Sequence, residues 1–135
     1  MSQPRIKYDE TSDTLSICFE SGMPATGIEL TENILLRIDK GKHKPISIVL
    51  LDYSVLAQKT ELGTRSFPLT GLSHLSNELQ EIVIDILLNK PVNEFLRLSA
   101  YTPSLEQTIP IVFLQSIPTG SPSNVSRGSA FYLED

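Results

Sequence analysis

The sequence predicts an α+β fold: an antiparallel β-meander of about five strands, one amphipathic helix packed on it, and a C-terminal β-hairpin. Three observations predict it. The first 54 residues alternate apolar and polar positions with a period of two, interrupted by short polar turns. Around residues 76–89 the period changes to that of a helix. After the helix, two further extended runs flank Thr102-Pro103-Ser104.

Each element has its own signal. Ile6 and Tyr8 alternate with Lys7 and Asp9, and Leu15, Ile17 and Phe19 alternate with Ser16 and Cys18. The polar residues between the two runs, with Asp9 and Asp13 at their ends, make a hairpin turn. Ser21-Gly22-Met23-Pro24 and Gly27 break the chain and leave a short strand around Ile28 to Leu30. Ile34, Leu36 and Ile38 form the next strand. Asp39-Lys40-Gly41-Lys42 reads as a turn in which Gly41 supplies a positive φ. Pro45 to Leu51 is the most continuously apolar stretch, which places it at the centre of the sheet.

Residues 55–72 read mostly as loop, because Gly63, Pro68 and Gly71 interrupt them, with a strand at Phe67 to Leu69. The helix spans about Ser76 to Asn89. Leu75, Leu79, Ile82, Val83, Ile86 and Leu87 make its buried stripe, Ser76 or Asn77 caps it, and Pro91 stops it. Ile84 and Leu88 lie off the stripe and are the candidate interface residues. Phe95 to Tyr101 is extended, and so is Ile109 to Leu114, where Pro110 points to an edge or a strand start. Residues 1–115 are expected to form one α+β domain, with 6–54 as the meander and 55–115 as a helix-plus-hairpin extension. Residues 116–135, rich in Ser, Pro and Gly up to Ala130 and ending in an apolar Phe131-Tyr132-Leu133, are expected to form a flexible tail.

Composition narrows the function classes. The net charge of −5 and the scattered Lys and Arg argue against nucleic acid, which needs clustered cations. Lys40, Lys42, His43 and Lys44 form the densest basic group, in an expected solvated turn. Ile46 to Leu51, the longest mostly apolar run, is too short to span a bilayer, and Met1 to Arg5 has no signal-peptide core. Cys18 is the sole cysteine, so no intramolecular disulfide is possible. A cytoplasmic protein without membrane or nucleic-acid partners is the expectation.

No residue pattern names a chemistry. His43 and His74 belong to no metal-ligand spacing, and no catalytic residue, metal site or cofactor is expected. Asp9 and Asp13, four apart in a turn, are the sharpest candidates for binding a cation or exchanging a proton. The competing reading is that their carboxylates accept hydrogen bonds from turn amides, and Asp39 and Asp52 share that reading at the other turns.

Tyr8-Asp9, Asp13, Leu15, Ile17 and Phe19, then Asp39-x-Gly41, then Ile48 and Leu51-Asp52 with Ser54, resemble a family of short bacterial proteins of unknown function. That family opens on Tyr-Asp-x-x-x-Asp-x-Leu-x-Ile and has a later Asp-x-Gly turn; the likeness covers residues 6–54. It implies a small β-meander, sometimes encoded beside a toxin-like gene, and no established activity.

Three functions fit. The first is a non-enzymatic protein-binding module, antitoxin-like or regulatory, whose acidic balance suits a basic partner. The second is a structural homodimer, self-associating through Ile84, Leu88 and a strand edge. The third is a small enzyme or ligand-binding domain using Asp9 and Asp13.

Overall fold

The computed structural model describes residues 3–22 and 24–115, so the expected tail at 116–135 lies outside the described residues. Five strands make the larger sheet: β1 (Arg5–Asp9), β2 (Thr14–Cys18), β3 (Thr26–Thr31), β4 (Ile34–Asp39) and β5 (Lys44–Leu51). All neighbours are antiparallel, in the order β1-β2-β5-β4-β3. The sheet is thus a β1–β2 hairpin laid against a β3–β4–β5 meander. β5 stands at its centre, where its apolar run places it.

The period-two pattern has a direct consequence in register. Ile6 pairs with Ile17, Ile17 with Ile48, Ile48 with Leu36, and Leu36 with Ile28, one apolar row across all five strands. Tyr8, Leu15, Leu50 and Ile34 form a parallel row by the same pairings. Leu15, Ile17, Leu36, Ile48 and Leu50 are fully buried, each stabilising the fold by roughly 1.5–3 kcal/mol over exposure. On the opposite face Ser47 is buried as well, and its hydroxyl takes a hydrogen bond from Arg37 Nη1 at 3.2 Å.

Past the sheet the chain is more structured than the mostly looped stretch expected for 55–72, and the strand expected at Phe67 to Leu69 lies at Ser66–Pro68. A short helix α1 (Tyr53–Leu56) is followed by β6 (Lys59–Thr60), β7 (Gly63–Thr64), β8 (Ser66–Pro68) and a 3₁₀ turn at Thr70–His74. That turn lies on β3, an outer strand, and Gly71 explains how closely: a Cβ there would overlap the backbone carbonyl of Glu29. β3 is thereby a covered edge.

Helix α2 (Asn77–Leu88) starts where its cap predicts. The Ser76 Oγ accepts a hydrogen bond from the Leu79 amide at 3.2 Å, Glu78 complements the dipole in the first turn, and Asn89 closes the other end. Ile82, Val83, Ile86 and Leu87 join the sheet residues in one apolar cluster. A 3₁₀ turn at Val92–Glu94 leads to β9 (Leu96–Ser104) and β10 (Gln107–Leu114), which form a second sheet in the order β8-β10-β9.

Two sequence expectations change in detail. β10 is a middle strand, not an edge. Pro110 is tolerated because β8 pairs only with Ile111, Val112 and Phe113, so the missing N–H falls before that ladder begins. In the β4–β5 turn the left-handed residue is His43, with φ of 54°, and not Gly41. No helix among the described residues is long and apolar enough to cross a membrane.

Candidate functional site

The four candidate aspartates all sit at strand ends, and two repeat one loop design. In the β1–β2 turn the Asp9 carboxylate accepts hydrogen bonds from the Thr11 amide at 3.1 Å and the Ser12 hydroxyl at 3.0 Å. In the β4–β5 turn the Asp39 carboxylate accepts one from the Lys42 amide at 3.2 Å. Each aspartate opens a loop of four residues, since Asp9 pairs with Thr14 and Asp39 with Lys44. Each loop closes on a left-handed residue, Asp13 or His43, both at φ 54°. Aspartate and histidine tolerate that conformation better than bulkier or β-branched residues.

Asp13 does more than end its loop. Its carboxylate accepts hydrogen bonds from the Tyr8 hydroxyl at 2.7 Å, the Ser54 hydroxyl at 2.6 Å and the Ser54 amide at 3.0 Å. Its backbone carbonyl accepts another from the Tyr53 amide at 2.9 Å. Residues 41 positions apart are thereby joined, and the first hairpin is tied to the start of α1. The Tyr8 ring meets buried Tyr53 edge-on, with centroids 5.9 Å apart. Partial burial pushes the Asp13 carboxyl up, but the hydrogen bonds from the Ser54 hydroxyl, the Tyr8 hydroxyl and the Ser54 amide outweigh it. Its pKa therefore lies below the ordinary carboxylate value.

Asp52 is also left-handed, at φ 56°, and its carboxylate accepts a hydrogen bond from the Asn33 side chain at 3.0 Å. Asn33 clasps this corner further through the Leu51 carbonyl at 3.2 Å. Asp9 and Asp13 share a loop but no hydrogen-bond donor. Among the described residues no group of three or more His, Cys, Asp and Glu is placed to hold a metal ion. Cys18 is half-buried with Arg5 Nη2 3.9 Å from its sulfur, and both histidines are exposed.

The remaining candidates are surfaces. On α2, Leu88 is 56% exposed and Ile84 is half-buried. Sequence reasoning passed over a second surface altogether. Every residue from Ser99 to Thr108 is exposed, on both faces of the β9–β10 hairpin, which makes that end an arm. Leu105 at its tip is 99% exposed and Tyr101 is 56% exposed. Ser104 lies five residue steps beyond Ser99, so the arm reaches about 17 Å. At its base Arg97 lies over the Phe113 ring, 5.2 Å from the centroid. The one available signal was the loss of alternation after Leu98, where polar and small residues occupy both faces.

Residues 5–54 match the model of a family described as a protein of unknown function (DUF2283). Tyr8, Asp13 and Ser54 all fall within the matched segment, whereas α2 and the arm lie beyond it. Comparison with curated proteins and with solved structures found no match.

Proposed function

We propose that this chain is a non-enzymatic protein-binding module that engages its partner through the β9–β10 arm. The carrying observation is the arm itself: ten consecutive exposed residues displaying Tyr101 and Leu105 away from the core. A two-stranded hairpin is marginal in water without packing, so the fold keeps this arm at a cost that a docking partner would offset. Tyrosine is enriched among the residues that carry binding energy at protein interfaces, and Leu105 adds exposed apolar area to the same arm. The net charge of −5 favours a partner whose cleft has a basic rim, as an antitoxin-like or regulatory role would require. The hydrogen bonds that occupy Asp9, Asp13, Asp39 and Asp52 support a structural role for these carboxylates over a catalytic one.

The test compares tagged wild-type protein with a Tyr101→Ser/Leu105→Glu variant, each captured from cells of the source and quantified by mass spectrometry. The expected result is a stoichiometric partner held by the wild type, weakened by salt and lost from the variant at an unchanged melting temperature. Identical captures would remove the arm from the account. A second reading rests on β9 being an outer strand of its sheet, which permits two copies to pair edge to edge. Light scattering separates the two, since only that reading predicts a doubled mass for the isolated protein.

A further inference from the structure

Among the described residues, β1 and β3 bound the larger sheet and β8 and β9 bound the second one. Three of these four edges are blunted against pairing with another chain. β3 lies against the Thr70–His74 turn, where Gly71 meets the Glu29 carbonyl. β1 exposes Arg5, Lys7 and Asp9, charges that oppose an added strand. β8 has three residues and ends on Pro68. β9 is the exception: from Leu98 to Ser104 it carries no charged residue.

Pro110 fixes which way the β9 backbone faces. Its carbonyl accepts a hydrogen bond from the Leu69 amide at 3.0 Å, on the β8 side of β10. Ala100 pairs with Pro110 from the other side. A residue of an antiparallel strand turns its N–H and C=O to the same side, so this pair exchanges no hydrogen bonds and the Ala100 amide and carbonyl point outward. Alternation turns those of Leu98 outward as well, whereas Ser99 and Tyr101 turn theirs toward Ile111 and Ile109. We propose that the partner adds an extended strand to the β9 edge, bonded to the Leu98 and Ala100 backbone. This inference rests on the reading of the arm as the docking site. Beside Tyr101 the added strand carries a β-branched or aromatic residue, the types that pair best with tyrosine across a ladder. A lysine or arginine stands at its end near Glu106, which is exposed at the tip of a chain of net charge −5.

A displayed library of random peptides of about twelve residues, selected on the full chain, supplies the probe. The enriched peptides should lack a central proline and alternate β-branched or aromatic residues with others. With the tightest at about ten times its Kd, about a tenth of the chain is free, so the Leu98 and Ala100 amides should exchange about tenfold more slowly by NMR. Ala100→Pro removes an outward amide at a position where an edge strand tolerates proline, and should weaken binding about tenfold at an unchanged melting temperature. Peptides that bind the wild type and not Tyr101→Ser/Leu105→Glu, yet leave the Leu98 and Ala100 exchange unchanged, would overturn this inference and spare the arm. A selection that enriches nothing, or peptides that bind that variant equally and leave exchange unchanged, would overturn both. Exchange that slows with protein concentration alone, together with a doubled mass, would overturn the inference by assigning the edge to a second copy.

Discussion

Replacing Asp13 by alanine should cost this protein about 4 kcal/mol, close to the whole stability of a marginal domain. The figure follows from what the carboxylate holds. It accepts three hydrogen bonds, from the Tyr8 hydroxyl, the Ser54 hydroxyl and the Ser54 amide. Hydrogen bonds to a charged group are worth about 1.5–3 kcal/mol each when buried. The site is only half-buried and water can replace some of the loss, so about 1 kcal/mol per bond is the appropriate share. Alanine in the left-handed region adds about 1 kcal/mol more. The total corresponds to a fall in melting temperature of about 12–20 °C for a domain of this size. Urea denaturation measures it, as a lower midpoint at unchanged slope. Asp13→Gly removes the same bonds without the backbone cost and should recover about 1 kcal/mol of the loss. An Asp13→Ala protein within about 0.5 kcal/mol of wild type would refute the reasoning and return Asp13 to the candidates for ligand chemistry.

Other outcomes follow from the same structure. Because the folded-state pKa of Asp13 is lowered, its contribution is fully present above the ordinary carboxylate pKa of about 4 and fades as pH falls through the folded value. The stability gap between wild type and Asp13→Asn, followed by urea titration, should accordingly hold above about pH 4 and narrow as the pH falls below it. His43→Gly should stabilise by about 0.5–1 kcal/mol, because glycine relieves the left-handed φ of 54° at an exposed position with no side-chain bond to lose. Gly71→Ala should destabilise by at least about 2 kcal/mol, since the new Cβ meets the Glu29 backbone and not a flexible side chain. Ser76→Ala should cost about 1 kcal/mol by removing the α2 cap, readable in the same denaturation assay.

Legibility in the sequence tracked how local the governing physics is. The strands of residues 5–51 were readable because one buried face imposes a period of two, and Ile6, Ile17, Ile48, Leu36 and Ile28 obey it in a single row. Helix α2 was readable from its stripe and its Ser76 cap. The junctions were less so. Nothing in the order of residues says that Asp13 reaches Ser54, because that contact depends on β2 pairing with β5 and skipping two strands. Likewise the left-handed residue of the second hairpin is His43, although Gly41 is the residue whose backbone most easily adopts that conformation. Gly71 looked like a loop breaker, and it is small because a neighbouring backbone leaves no room. The arm was illegible for a different reason. Periodicity reports burial, and residues 99–108 have none to report.

If the carboxylates serve folding and the arm serves recognition, as proposed, a photo-cross-linking residue at position 105 tests that division most directly. Introduced in place of Leu105 in living cells, it should give one adduct of defined mass on illumination. The same group in place of Lys40, at the exposed β4–β5 turn, should give none. An empty lane at position 105, or the same adduct from both positions, would contradict the claim that the β9–β10 arm is where this protein meets its partner.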